Sequence, residues 1–292
     1  MRRLVEQQWF AVLVVVAAIV VVWYGFAILL NMPWQVGVYG RADTEPTLWQ
    51  WIVDLYSQQR PVLPAPHQVA AEFWNSVAGA DPSTPRSLVF HAWITLSATL
   101  LGFLFGTLLG IGLAVLIVHN RAMDRSLMSW IIASQTIPIL AIAPMIVVSL
   151  NAVGLTGLVP KALISTYLSF FPVVVGMVKG FRSPDRIHLD LMRTYNASGA
   201  QVFFKLRWPS AVPYLFASMK VGVAASLVGA IVGELPTGAA GGLGSRLLAG
   251  SYYGQTTQIW AALIMAAALS AALILAIGAG EKLVERQMGP RA

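Results

Sequence analysis

Phe10 to Leu30 is a run of apolar and uncharged residues without a single Lys, Arg, Asp or Glu, and no other feature constrains the fold as strongly. A hydrocarbon core of about 30 Å is crossed by roughly 20 such residues in a helix. Further stretches of this kind follow, and six spans are expected at approximately 9–31, 88–118, 127–150, 157–181, 211–235 and 258–280. Apolar residues make up 57% of the chain and charged residues 11%, against about 25% charged in a soluble domain. Such a chain could not cover a water-facing surface. The first run is too long for a signal-peptide core and no small-residue cleavage site follows it, so it reads as a retained helix. Cys is absent, which excludes disulfides and thiolate chemistry. The fold class is therefore an all-α integral membrane protein with six transmembrane helices.

The connections are unequal. Residues 32–87 are rich in Trp and Pro and include an amphipathic stretch from Val69 to Val77. Residues 119–126 read as a short basic turn, 182–210 as a charged loop, and 236–257 as a segment rich in Gly and Tyr. The net charge of +7 could suggest nucleic acid, but the basic residues lie between apolar runs, which indicates membrane orientation instead. With the N-terminus inside, the inner segments hold Arg2, Arg3, Arg121, Arg125, Lys179, Arg182, Arg186, Arg193, Lys205, Arg207, Lys282, Arg286 and Arg291. The outer segments hold Arg41, Arg60, Arg86, Lys161 and Arg246. Both termini and the 182–210 loop are therefore expected on the cytoplasmic side. Three regions follow: 1–87, an N-terminal span with an outward segment; 88–280, the core membrane domain; and 281–292, a cytoplasmic tail.

The most informative segment runs Asp190-Leu191-Met192-Arg193-Thr194-Tyr195-Asn196-Ala197-Ser198 and continues to Leu206-Arg207-Trp208-Pro209. Leu189, Met192 and Tyr195 recur at helical spacing, as do Val202, Phe203 and Leu206. Asn196 separates the two patterns, and Asn tolerates left-handed backbone better than most residues. Pro209 and Pro213 suit the first turn of the fifth span. The expectation is a pair of short helices too small to be stable alone. Their apolar face could dock a partner or fold back on the membrane domain, and the pattern leaves both open.

This loop resembles the signature of binding-protein-dependent ABC importer permeases: an acid followed by two alanines, three residues, Gly, nine residues, then Ile-any-Leu-Pro. Asp190 falls at the acid, Asn196 at the Gly, and Leu206, Trp208 and Pro209 at the Ile, Leu and Pro. Leu191 and Met192 replace the alanines, Asn196 the glycine and Trp208 the leucine. Leu63-Pro64-Ala65-Pro66 with Val69, Thr136-Ile137-Pro138 through Ala141, Ala143 and Pro144, and Phe170-Phe171-Pro172 with Gly176 and Gly180-Phe181-Arg182-Ser183 resemble the nitrate/sulfonate/taurine branch. The resemblance implies a type I importer fold with a cytoplasmic coupling-helix pair. Two ATP-binding cassette ATPase subunits, a second permease copy or paralogue and an extracytoplasmic solute-binding protein would be its partners, in a bacterial inner membrane. It implies that Tyr195, Ala197, Ser198 and Phe203 share the coupling loop, with Phe203 contributing to the ATPase contact and Asp190 capping the first helix or pairing with the ATPase. The chain itself would hydrolyse nothing and need no cofactor. No glycine-rich phosphate loop with Lys and Ser/Thr is present.

Glu234 ends the fifth span in Gly233-Glu234-Leu235-Pro236 and is expected near the outer interface, within reach of water, in a structural or gating role ahead of substrate binding. Pro138 and Pro144 are further candidates for gating or for the pathway. Lys220 is expected to snorkel to headgroups. His91 beside Trp93 reads as a solvated interfacial histidine. Gly102, Gly106 and Gly110 recur every four residues, a spacing for close helix packing or, alternatively, for a smooth pore face. Pro236 to Gly250 reads as a flexible or re-entrant outer loop, with Tyr252, Tyr253 and Trp260 in an aromatic belt ahead of contact with a docked binding protein or a flat ring substrate.

Two other classes compete. A secondary transporter or channel would show inverted repeats and several buried acids, and an intramembrane enzyme would show a catalytic set; neither pattern is found. The substrate stays open between nitrate, sulfonates or taurine and an aromatic heterocycle such as a thiamine precursor, a pyrimidine or riboflavin. Gly233 to Gln255 departs from the sulfonate expectation, and no basic cluster marks the outer halves of the spans.

Overall fold

The computed structural model describes residues 8–43, 45–236 and 241–288, and every described element is helical. Arg2, Arg3 and Arg291 of the charge count, and residues 237–240 of the outer loop, lie outside them. The chain divides into two compact units, residues 1–90 with 246–264 and residues 91–245 with 265–292.

In the first unit, α1 (Gln8–Ala42) is longer than the expected span and continues through Pro33. It is followed by α2 (Leu48–Ser57) and α3 (Pro66–Val77). The amphipathic stretch ending at Val77 is confirmed as α3, which starts on a proline as first-turn geometry favours. Helix α2 was not anticipated; its start is set by a capping box between Thr47 and Gln50. Fully buried Asn31 anchors the connection. Its amide donates to the Leu63 carbonyl at 2.9 Å, and its oxygen accepts from the Val62 amide at 2.8 Å and the Leu63 amide at 3.1 Å. The indole of Trp23 donates to Pro64 at 3.0 Å and stands 4.6 Å from the ring of Trp260.

The second unit is built on α4 (Leu88–His119), α7 (Leu158–Phe181) and α10 (Trp208–Glu234). Between α4 and α7 lie α5 (Arg121–Ser134) and α6 (Ile139–Ala152). The third span is therefore not one continuous helix, and 119–126 is not a turn. Helix α5 begins at Arg121 under an Asn120 cap, and the chain bends by 93° between α5 and α6. Pro138 causes the break: it has no N–H to continue the ladder and pushes Ile137 out of the helical region. The carbonyls freed at the end of α5 are met by side chains. The Thr136 hydroxyl donates to Ala133 at 2.8 Å, and the Tyr167 hydroxyl donates to Ser134.

Helices α7 and α10 pack antiparallel along their whole length. Gly180 meets Ala211, Gly176 meets Ser218, Gly222 meets Ser169, Gly229 meets Ser165 and Gly233 meets Lys161. The glycines of α4 close the other side. An added Cβ would lie 2.2 Å from Ser165 Cβ at Gly102, 2.0 Å from Ser169 Oγ at Gly106 and 2.7 Å from Val173 Cβ at Gly110. The four-residue spacing is a packing seam and not a pore face. Contact this close is how helices associate in lipid, where no hydrophobic drive between them exists. Toward one end of the seam, Ile117, Val173, Val174, Met177, Phe181 and Ala211 form the buried core.

The last helix, α12 (Thr256–Met288), runs past the expected span, so the described part of the tail is helical. Lys220 does not stand alone: its ammonium is paired with Glu281 on α12.

Gly106→Val should overpack this seam and cost about 1–3 kcal/mol, seen as a lower unfolding temperature in detergent. Gly112→Ala is the control, because nothing lies within 4 Å of the added atom; it should leave the unfolding temperature unchanged or raise it slightly, since Ala favours a helix interior over Gly.

Candidate functional site

Two sites emerge, at opposite ends of α10. The first is the loop between α7 and α10. Helix α8 (Arg186–Thr194) has no buried residue. It ends as the chain dictates: Asn196 adopts φ 49°, its amide donates to Arg193 at 2.9 Å, and the Ala197 amide donates to Met192 at 2.9 Å. This is a Schellman termination, with Asn at the left-handed position. Two residues later Ser198 opens the next helix by a capping box, its hydroxyl accepting from the Gln201 amide while its own amide donates to Gln201 Oε1 at 2.8 Å. The turn expected at Asn196 is present, and its neighbours show why it is stable.

The second short helix is not separate. Helix α9 (Gly199–Val202) passes through a π turn, Phe203–Arg207, directly into α10. The Trp208 amide reaches back to the Phe203 carbonyl, five residues earlier. Pro209 lacks the N–H that would bond to Lys205, and its ring would collide with that carbonyl in a regular α-turn. The wider turn relieves the collision and keeps the helix continuous. The second short helix and the fifth span are thus one rod from Gly199 to Glu234.

The loop residues divide into two faces. Ile187, Leu191 and Tyr195, spaced by four, stand outward at 79%, 51% and 77% exposure, with Phe204 at 67%. Met192, Ala197 and Leu206 are half-buried. Phe203 turns into the membrane unit, its ring 5.2 Å from His119, 5.2 Å from Phe181 and 6.1 Å from Trp208. Phe203 and Trp208 therefore brace the loop from within, and the exposed ring is Phe204. Asp190 does not cap α8: it lies mid-helix, in an exposed ion pair with Arg193 at 3.0 Å. Below the loop, Arg182 pairs with Asp124 at 2.8 Å.

The second site surrounds Glu234. Its side chain is fully buried and not within reach of water. It accepts from the Thr95 hydroxyl at 2.8 Å and 3.0 Å and from the Gly244 amide at 2.8 Å. Lys161, also buried, brings its ammonium to 4.0 Å from the carboxylate and donates to the Gly241 carbonyl at 3.0 Å. His91 is buried too, and its Nδ1 accepts from the Gly242 amide at 3.0 Å, which requires that nitrogen to be unprotonated. The Leu243 amide donates to Thr95 at 2.9 Å. Four consecutive residues thus have a backbone group held by a buried side chain, from α4, α7 or α10. Gly242, at φ 119°, is pressed so close that an added Cβ would lie 2.2 Å from the Glu234 carboxyl carbon. The described part of the Gly-rich segment is therefore a clamped helix start, leading into α11 (Leu243–Tyr252). A carboxylate there meets the free amides and positive dipole end of a first turn.

Sequence reasoning flagged Glu234, His91 and the glycines separately and missed Thr95 and Lys161. Lys161 could have been found: a lysine inside an apolar run calls for an acid, and Glu234 is the one acid within the six runs. Pro138 sits at the α5–α6 bend and Pro144 inside α6, both exposed.

Residues 106–290 match the model of the binding-protein-dependent transport system inner membrane component. The chain belongs to this family. A probable ABC transporter permease of Haemophilus influenzae is 29% identical over 79% of this chain and 89% of its own length. The riboflavin transport system permease RibX of Chloroflexus aurantiacus is 30% identical over 82% and 85%. Permeases named for aliphatic sulfonates in Bacillus subtilis and for nitrate in Synechocystis are 24% and 25% identical, over 75% and 61% of this chain and 75% and 65% of theirs. The methionine ABC transporter MetNI, inward-facing, has the same fold in a chain 18% identical, with a TM-score of 0.61 over 70% of this chain and 99% of that one. The protein is a membrane-embedded ABC importer permease, a pore subunit and not an enzyme.

Removing one partner of a buried ion pair costs about 3–5 kcal/mol. Glu234→Gln and Lys161→Met should each lower the unfolding temperature, and the double variant Lys161→Met with Glu234→Gln should recover part of the loss. A thermal double-mutant cycle in detergent measures this.

Proposed function

We propose that the chain is half of a translocation pathway, working with a second permease copy or paralogue over two ATPase subunits in a bacterial inner membrane, both termini inside. The observation that carries this reading is the exposed apolar set of Ile187, Leu191 and Tyr195 along α8 and Phe204 on the next helix, which is continuous with the fifth span. ATPase closure would push α8 and the π turn, and α10 would transmit that push along its length to Glu234. Rigid-body switching of this kind alternates access in transporters. Glu234 and its partners would then hold the far end of the rod, as a gate. Pro138, at the break of the third span, and Pro144, inside α6, would allow it to bend in the same movement.

The solute would arrive on an external binding protein. An aromatic heterocycle is favoured over nitrate or a sulfonate by the higher identity to the riboflavin permease than to the sulfonate and nitrate permeases. Stimulation of ATP hydrolysis by the binding protein loaded with riboflavin, and not with taurine, would support that choice; the reverse would restore the anion reading.

The coupling assignment predicts a split between neighbours. Tyr195→Ala and Phe204→Ala should leave the unfolding temperature unchanged while weakening ATPase association roughly tenfold, since such a side chain is worth about 1.5–3 kcal/mol when buried at a contact. Phe203→Ala should lower the unfolding temperature instead. Asn196→Val, which forces a β-branched residue to positive φ, should leave the chain in the membrane but uncouple uptake from hydrolysis. Normal association and uptake in all four would exclude this loop as the coupling element.

Orientation is tested with the Cys-free chain as background. Ser198→Cys should react only from the cytoplasmic side, and Tyr252→Cys, which is exposed, only from outside.

A further inference from the structure

Helix α2 carries an apolar face that nothing in the first unit covers. Leu48, Trp49, Ile52 and Val53 are 84%, 73%, 46% and 43% exposed and share one side of the helix. The opposite side is engaged. Leu55 is buried, the Tyr39 hydroxyl donates to Asp54, and the ring of Tyr39 stands 5.1 Å from that of Trp51. Just beyond the helix, Gln58 donates to Gln35 at 2.9 Å. These contacts lay α2 antiparallel beside the last turns of α1. The outward face therefore does not exist for lack of an inward one.

Charge and depth identify what covers it. From Pro46 to Val53 no residue is charged, whereas a helix bathed in water would present Lys, Glu or Asp there. The exposed apolar surface of α1 runs from Val12 through Met32, Trp34 and Val36. At 1.5 Å per residue that is about 36 Å, more than the roughly 30 Å hydrocarbon core and within the 40–45 Å that includes the headgroups. The lipid-facing band of α1 thus reaches the interface at the level where Gln35 and Tyr39 hold α2, and the face of α2 continues it. Tryptophan is enriched at that depth.

We propose that α2 is an interfacial anchor, standing antiparallel beside the end of α1 remote from Gln8, with Leu48, Trp49, Ile52 and Val53 facing phospholipid at the headgroup level. An amphipathic helix binds an interface through its buried apolar area. Tied to α1 by side-chain bonds, α2 would fix the depth of that span.

The experiment uses the full chain in phospholipid vesicles. Ile52→Cys, Val53→Cys, Gln50→Cys and Ser57→Cys, each the sole cysteine, are labelled with a nitrobenzoxadiazole fluorophore and exposed to nitroxide-bearing phospholipid or to aqueous iodide. Labels at 52 and 53 should lose most of their fluorescence to the nitroxide lipid and little to iodide, with the reverse at 50 and 57. Equal iodide quenching at all four positions would overturn the proposal by placing α2 in water. Protection of 52 and 53 from both quenchers would overturn it by placing a protein surface there, a second copy or an external binding protein.

Discussion

Close approach between α4, α7 and α10 is the contact from which the second unit follows. Lipid tails are as apolar as leucine, so burying apolar surface gives helices in a bilayer little reason to associate. What remains is van der Waals contact, and it requires backbones that nearly touch. Gly102, Gly106 and Gly110 on α4 face Ser165, Ser169 and Val173 at distances that no Cβ could share. The glycines and small residues of α7 and α10 do the same on the other side. Two hydroxyls in this seam return their hydrogen bonds to backbone, Ser226 to Thr99 and Ser169 to Ser165, each at 2.8 Å, so those two cost little where water is absent, whereas the Ser165 hydroxyl is buried without such a bond.

The same absence of water explains how the chain interrupts its helices. A broken helix leaves carbonyls and amides without partners, and in hydrocarbon each such group is expensive. Every interruption described here supplies its own replacement. Tyr167 and Thr136 satisfy the end of α5. Asn196 and Ser198 close one helix and open the next by backbone and capping bonds. The π turn keeps α10 continuous past Pro209. At the far end His91, Thr95, Glu234 and Lys161 hold the strained glycines before α11. The two ends of α10 are thus places where irregular backbone is supported, at one end by local caps and at the other by buried charged side chains.

On the proposed coupling role, this arrangement would make α10 a lever. A loop joined to a span by a flexible turn would absorb displacement, whereas a continuous helix passes it on. Phe203 and Trp208, packed on Phe181 and His119, fix the direction in which the loop leaves the membrane unit. Ile187, Leu191, Tyr195 and Phe204 are left on the surface, and it is this outward set, rather than every apolar residue of the loop, that is available to a partner.

Apolar run length and the placement of Lys and Arg determined by themselves that the chain is helical and membrane-embedded, because hydrocarbon thickness and the cost of unpaired backbone admit few alternatives. The spacing from Asp190 to Pro209 was enough to locate the loop, and Asn196 to locate its turn, because left-handed backbone restricts residue choice locally. Contacts between residues far apart in the chain were beyond its reach. The burial of His91 and the inward turn of Phe203 depend on which helix faces which. A hydropathy pattern records how apolar a position is and not what lies opposite it. A buried acid and a solvated one near the end of a span look the same until the neighbouring helices are in place, and only the tertiary structure decided between them.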